Sequence, residues 1–155
     1  MKKSDNNVVS LFEQTNQSVQ KAVLTDSMKM KRGGSLSNPI VAYETWGKLS
    51  KQKDNVVVIL TGLSASSHVA SHSNNSKPGW WEGIVGPDKA IDTNKFYVIC
   101  VNSLGSCFGS TGPASINQIT GEPFRLTFPE LTIDDMATAT KLLLDTFNIK
   151  QINTL

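Results

Sequence analysis

Cysteine and histidine are scarce, two of each in 155 residues, and the scarcity removes whole classes of protein. Cys100 and Cys107 lie on an apolar run and in a Gly-rich loop without C-x-x-C spacing, so neither a disulfide framework nor a zinc site is indicated. Both are expected to be reduced, buried thiols. An excess of charge of one sign is missing too: 15 Lys and Arg face 13 Asp and Glu, a formal net charge of +2. Lys29, Lys31 and Arg32, like Lys48, Lys51 and Lys53, form short groups beside turns rather than a basic face interleaved with aromatics, so no nucleic-acid partner is expected. No apolar run approaches the roughly 18 residues of a membrane span. The opening MKKSDNNVVSLFEQTNQSVQ carries the early lysines of a signal peptide, but Asp5, Asn6, Asn7 and Glu13 interrupt any apolar stretch. These absences predict a cytoplasmic chain with a poorly ordered lead over residues 1–27, followed by one domain, or part of one, over 28–155.

What is present reads as α/β. MKMKRGGSL followed by NPIVAYETWG predicts two short strands hinged at Gly33 and Gly34, an antiparallel edge. Asn55 to Leu60 and Phe96 to Val101 are nearly continuous apolar, β-branched runs, which suit central strands of a parallel sheet covered on both faces. The segment SSHVASHSNNSKPGWWEGIVGPDKAIDT between them is long for a plain connection, so it is expected to carry a role or a short helix of its own. TIDDMATATKLLLDTFN is the clearest helix: Thr132 is its expected N-cap, Asp134 and Asp135 complement the dipole of the first turn, and Asn148 marks the end. Its apolar stripe is read as Ile133, Met136, Ala137, Thr140, Leu144 and Phe147. A further strand starts in IKQINTL, where the sequence given ends.

Several of these stretches, VAYETWG (Val41 to Gly47), PGWWEGIVGPDKAIDT (Pro78 to Thr93), FYVICVNSLGSCFGSTGPASIN (Phe96 to Asn117) and FPELTIDDM (Phe128 to Met136), resemble the N-terminal part of the homoserine O-acetyltransferase family. The resemblance runs from about Met28 to Leu155. It implies an α/β-hydrolase fold, cut before the nucleophile elbow, and an acyl group moved from acetyl-CoA or succinyl-CoA to the side-chain hydroxyl of homoserine or serine. In the family a serine on the elbow takes the acyl group and passes it on in a ping-pong sequence, assisted by an aspartate and a histidine. All three would fall beyond Leu155. Homoserine acetylation, in methionine biosynthesis, is the leading expectation because it is the family's commonest activity. Loop Thr61-Gly62-Leu63-Ser64-Ala65 is more similar to the serine O-succinyltransferase branch, which is the alternative. Acyl-CoA would be a co-substrate rather than a bound cofactor, and a homodimer is possible at full length.

The same resemblance implies site residues. Leu63 aligns with the position whose backbone N–H helps to form the oxyanion hole, and Gly62, Leu63, Ser64 and Ala65 are the expected substrate-binding loop. Gly105-Ser106-Cys107-Phe108-Gly109 has the G-x-C-x-G look of a nucleophile elbow, yet STGPASINQITGEP after it cannot open a helix and no histidine follows, so Cys107 is not read as a nucleophile. His68 and His72, four residues apart in a polar loop, lack a supporting carboxylate nearby in sequence, so metal binding is not expected. Trp80 and Trp81 are read as anchoring their long loop to the core. Two readings of different kinds stay open: the front part of an acyltransferase, inactive without the rest, or a non-catalytic interaction module.

Overall fold

The computed structural model describes residues 18–62 and 64–155. The strands among them, in chain order, are β1 (Gln20–Val23), β2 (Ser27–Lys29), β3 (Ser35–Ser37), β4 (Ile40–Trp46), β5 (Val56–Leu60), β6 (Val85–Gly86), β7 (Ile91–Asp92) and β8 (Tyr97–Val101), followed by helix α1 (Ile133–Thr146). Four of them build the main sheet in the order β1-β4-β8-β5. β5 and β8 run parallel, Val56 opposite Tyr97 and Leu60 opposite Val101, as their apolar, β-branched composition predicts. β4 lies antiparallel to both β1 and β8.

Alternation along these strands sorts their side chains to two faces. Val41, Tyr43, Val56, Val58, Ile99 and Val101 point to one face and pack with Ala139 and Leu143 of α1 and with Ile149. Trp46, Val57, Ile59, Val98 and Cys100 point to the other, where Val69, Ala70 and Val85 cover them. The second cover is loop rather than helix. The described residues of 61–93 contain no α-helix, contrary to one of the two expectations for this stretch; they are turns and loop plus the two-residue parallel pair of β6 and β7. Close packing of loop on loop requires Gly79, where a Cβ would fall 2.1 Å from the carbonyl carbon of Val69 and 2.2 Å from the amide of Ala70.

Three local expectations are corrected. Gly33 and Gly34 do hinge a hairpin, with φ of 99° and 81°, but it joins β2 to β3, Ser27 facing Ser37. Asn38, at φ 46°, and Pro39 then break the pairing, which frees β4 to enter the main sheet instead of forming the hairpin's second arm. Within the expected lead, residues 20–23 are ordered as β1, which pairs with β4 as the antiparallel edge, while residues 1–17 lie outside the described residues. The buried face of α1 is Asp135, Ala139 and Leu143, and Ile133 is 78% exposed. The predicted stripe is turned by about one residue, because the i, i+4 ridge that meets the sheet starts from the capping carboxylate.

The helix ends carry their signals. Thr132 and Asp135 form a reciprocal capping box, the Asp135 amide donating to the Thr132 side chain at 3.2 Å and the Thr132 amide to Asp135 at 2.8 Å. Asp135 does more than complement a dipole: it also accepts the Lys31 amide at 3.0 Å, tying the β2–β3 turn to the helix. Burial pushes its carboxyl up, but the bonds from Thr132 and Lys31 outweigh this and hold it below the usual range. At the other end Asn148, at φ 55°, follows the last turn, and the amides of Asn148 and Ile149 donate to the carbonyls of Asp145 and Leu144, a Schellman stop. The chain then turns onto the free edge of β5, where the Val58 amide donates to Thr154 O at 3.0 Å and the Asn153 amide to Val56 O at 2.7 Å. Among the described residues no helix is long and apolar enough to cross a membrane.

Candidate functional site at the ends of β5 and β8

Parallel neighbours place their carboxyl ends, and the loops that leave them, side by side, which is where open α/β sheets bind ligands. Here the loop after β5 begins at Thr61 and the loop after β8 at Asn102. The Thr61 hydroxyl donates to the Val101 carbonyl at 3.2 Å, closing the strand ends together. Of the expected substrate loop, Gly62 and Ser64 are exposed and Ala65 is half-buried, while Leu63 lies outside the described residues. Gly62 borders open space, with no atom within 4 Å of where a Cβ would stand.

Asn102 links the two loops. It is 1% exposed, its Oδ1 accepts the Ser67 amide at 2.6 Å, and its Nδ2 donates to Ser67 Oγ at 3.1 Å and to the Phe108 carbonyl at 2.8 Å. Ser110 Oγ donates to the Asn102 carbonyl at 2.7 Å, so the Gly-rich loop after β8 is held on the same residue. A side chain with one acceptor and two donors suits this position, since it meets an amide, a hydroxyl and a carbonyl at once.

Beneath the loop lies a buried charge. Glu44 is 0% exposed, in the middle of β4. Its Oε2 is 3.0 Å from His68 Nδ1 and 3.2 Å from His72 Nε2, and its Oε1 accepts the Ser67 hydroxyl at 3.3 Å. The His72 nitrogen lies close to that oxygen but makes no hydrogen bond to it. His72 instead stacks on Trp46, ring centres 4.5 Å apart. Burial pushes the Glu44 carboxyl up, but its contacts with His72, His68 and Ser18 and the charge of His68 pull harder, leaving it below the usual carboxylate range. Burial likewise works against a charged His68. Its bonds to Glu44 and the Lys77 carbonyl, with the negative charges of Glu44 and Glu82, prevail and raise its pKa. The carboxylate that sequence proximity failed to supply for the histidine pair is therefore present, 24 residues before His68. Even so, no group of three or more His, Cys, Asp or Glu among the described residues is arranged to hold a metal.

Glu82 fastens the far end of the same loop. It accepts the amides of Gly79 at 3.0 Å and Ser71 at 2.7 Å, which, with the Ser71 hydroxyl and Lys89, draw its pKa down to about 2. Trp80 and Trp81 remain 42% and 41% exposed, so they are not core anchors as expected. Trp80 holds the loop through a hydrogen bond from Nε1 to the Ser66 carbonyl at 2.8 Å.

Cys107 is exposed, not buried, and lines an open cleft of about 440 Å³ with Leu104, Phe128, Leu131 and Met136. No helix follows it before Arg125, so the geometry of a nucleophile elbow is absent. Cys100 is fully buried, and burial with the nearby Glu44 charge pushes its thiol far up. Alkylation of the native protein is expected to modify Cys107 alone, with Cys100 reacting only in denaturant; peptide mass spectrometry checks this, and early modification of Cys100 would contradict its burial.

Glu44, Ser67 and Asn102 were missed in the sequence. The available signals were a lone carboxylate inside the apolar strand IVAYETW and an amide directly at the end of FYVICV.

No family model matches the sequence. Over 129 residues the chain is 54% identical to a serine O-succinyltransferase of Xanthomonas campestris pv. campestris (strain B100), a match covering 83% of this chain and 34% of that protein. Over 130 residues it is 56% identical to a serine O-succinyltransferase of Frateuria aurantia, covering 83% of this chain and 35% of that protein. The chain thus spans about a third of the length of the curated relatives it matches. Among solved structures, a homoserine O-acetyltransferase from Bacillus anthracis superposes with a TM-score of 0.79 at 32% identity, over 86% of this chain and 38% of that one. Esterase E22 superposes with a TM-score of 0.77 at 38% identity, over 86% of this chain and 39% of that one. These neighbours have the α/β-hydrolase fold, and the chain is mixed α/β as they are.

Proposed function

We infer, from a chain that shares its sequence and α/β-hydrolase fold with the homoserine O-acyltransferase family, that the protein it represents transfers an acyl group from acyl-CoA to an amino-acid hydroxyl. The acceptor and donor assigned are serine and succinyl-CoA. The observation that carries this choice is the grading of the resemblance: curated relatives at 54% and 56% identity bear the serine O-succinyltransferase name, whereas the matching homoserine O-acetyltransferase structure stands at 32%. The departure at Thr61 to Ala65 points the same way. Homoserine acetylation, the leading expectation from sequence, ranks second.

In this reading the described residues supply the strand-end loops rather than the nucleophile. Thr61 and Asn102 set the floor of the site at the ends of β5 and β8, and the loop from Gly62 to Ala65 borders the acyl group and the developing oxyanion, with the Leu63 amide as one donor. A donor fixed before the reaction stabilises negative charge without reorganising. The nucleophile, its acid and its base belong to the two thirds of the family's length that this chain does not span. Acyl-CoA arrives as co-substrate, and no bound cofactor is assigned.

The full-length protein, offered serine or homoserine with succinyl-CoA or acetyl-CoA while release of free CoA thiol is followed, tests the assignment. Serine with succinyl-CoA is expected to exceed the other pairs in kcat/KM by at least about tenfold, the discrimination that one or two pocket contacts provide. Preference for homoserine with acetyl-CoA would overturn the acceptor and donor, and no CoA release with any pair would overturn acyl transfer itself.

A further inference from the structure

We propose that His68 is an imidazolium at neutral pH and serves as a positioning residue, its charge clamping the loop after β5 onto the buried Glu44 carboxylate. The argument rests on what its two ring nitrogens face. Nδ1 lies 3.0 Å from Glu44 Oε2 and Nε2 lies 2.9 Å from the Lys77 carbonyl oxygen. Both partners only accept hydrogen bonds, and a neutral imidazole carries one N–H, so in either tautomer one contact would set lone pair against lone pair. Only the doubly protonated ring satisfies both. The side chain is 14% exposed and Glu44 is 0% exposed, and a carboxylate so buried requires a paired cation.

The other titratable groups around the pair are consistent with one positive charge. On β8, Cys100 stays a neutral thiol, its pKa pushed up by burial and the Glu44 charge. From the turn beyond the loop, Glu82 adds negative charge toward His68. His72, whose ring centre is 6.4 Å from that of His68, faces the same carboxylate oxygen, its Nε2 3.2 Å from Glu44 Oε2.

The clamp joins β4, the loop and the turn at Lys77 through one ring, so losing the proton loosens three segments together. The sign follows from the raised pKa of His68: stabilisation is complete below its ordinary value near 6.5 and is lost as pH rises through the higher folded value. At the acid end, the lowered pKa of Glu44 keeps the carboxylate charged until pH falls below its ordinary range. Effects on acyl transfer rest on the function proposed above, but the protonation state does not, and an inactive protein would leave it measurable.

The test is a pH titration of the histidine ring nitrogens by two-dimensional ¹⁵N–¹H NMR on the folded chain. With only two histidines in the sequence, His72→Asn assigns the signals. At pH 7, His68 is expected to show two protonated ring nitrogens, and Glu44→Gln, which keeps the shape and removes the charge, is expected to lower its midpoint by at least about one pH unit. A single neutral tautomer at pH 7, or a midpoint unmoved in a folded Glu44→Gln, would overturn the proposal. Should Glu44→Gln fail to fold, the titration of the unsubstituted protein decides alone.

Discussion

Glu44→Ala is expected to destabilise the protein by about 3–5 kcal/mol, the cost of stranding the other member of a buried ion pair. Glu44 is wholly buried, and His68 and His72 both converge on its Oε2. Truncation leaves the His68 ring with Nδ1 facing a void, and the ring must either hold an unbalanced charge or give up that proton and keep only the bond from Nε2 to the Lys77 carbonyl. Urea unfolding followed by circular dichroism measures the loss, and the midpoint should fall by at least about 1 M, given slopes of 1–3 kcal/mol per molar for small proteins. The double variant Glu44→Leu/His68→Leu separates charge from packing. It removes both ions together and is expected to recover a large part of the loss, since apolar replacement of a whole buried pair is often neutral. A single Glu44→Ala variant losing under about 1 kcal/mol would show the carboxylate to be solvated, as exposed pairs of that strength are.

Asn102→Ala is expected to cost roughly 2–6 kcal/mol, because it leaves the buried Ser67 amide and the half-buried Phe108 carbonyl without partners, at about 1–3 kcal/mol each. Both groups belong to loops that otherwise diverge from the ends of β5 and β8, so the substitution loosens the candidate site on both sides. Hydrogen exchange at the Ser67 amide, which now donates to Asn102 at 2.6 Å, should accelerate sharply with no comparable change at Leu143, at the far side of the sheet. Asn102→Asp retains the acceptor for Ser67 but forfeits both donated bonds and brings a second carboxylate toward Glu44 through Ser67. It is expected to be no better tolerated than alanine, and a near-neutral result would mean that the amide's donors contribute little.

The legible parts of this protein were those where one short stretch carries the whole signal. The runs at 55–60 and 96–101 are apolar on both sides of the pleat, so they read as covered parallel strands and are paired that way. The helix was equally plain, since Thr132, the acidic first turn and Asn148 are local cap signals. The turned stripe of α1 shows where such reading stops: which of two adjacent i, i+4 ridges meets the sheet depends on where the helix is docked, and here the docking is through Asp135 to Lys31. The hairpin failed similarly. Two glycines specify a reversal of the chain, but not how many residues pair before Asn38 and Pro39 end it.

The site was legible only as a resemblance. The histidine pair shows no carboxylate partner in its own stretch of sequence, because nothing in the loop points to β4. Glu44 was visible as a charge in an apolar strand, an oddity whose meaning required knowing that Ser67, His68 and His72 lie across it.

The sequence by itself determined the class of fold, the two parallel strands and the capped helix, because hydrophobic period and capping are properties of neighbours along the chain. Only the tertiary structure decided that one face of the sheet is roofed by loop, that Asn102 joins the two strand ends and that Glu44 and His68 share a buried charge. The last two are contacts between residues 35 and 24 apart, made where separate elements fold together, and a buried charge finds its partner by proximity in space.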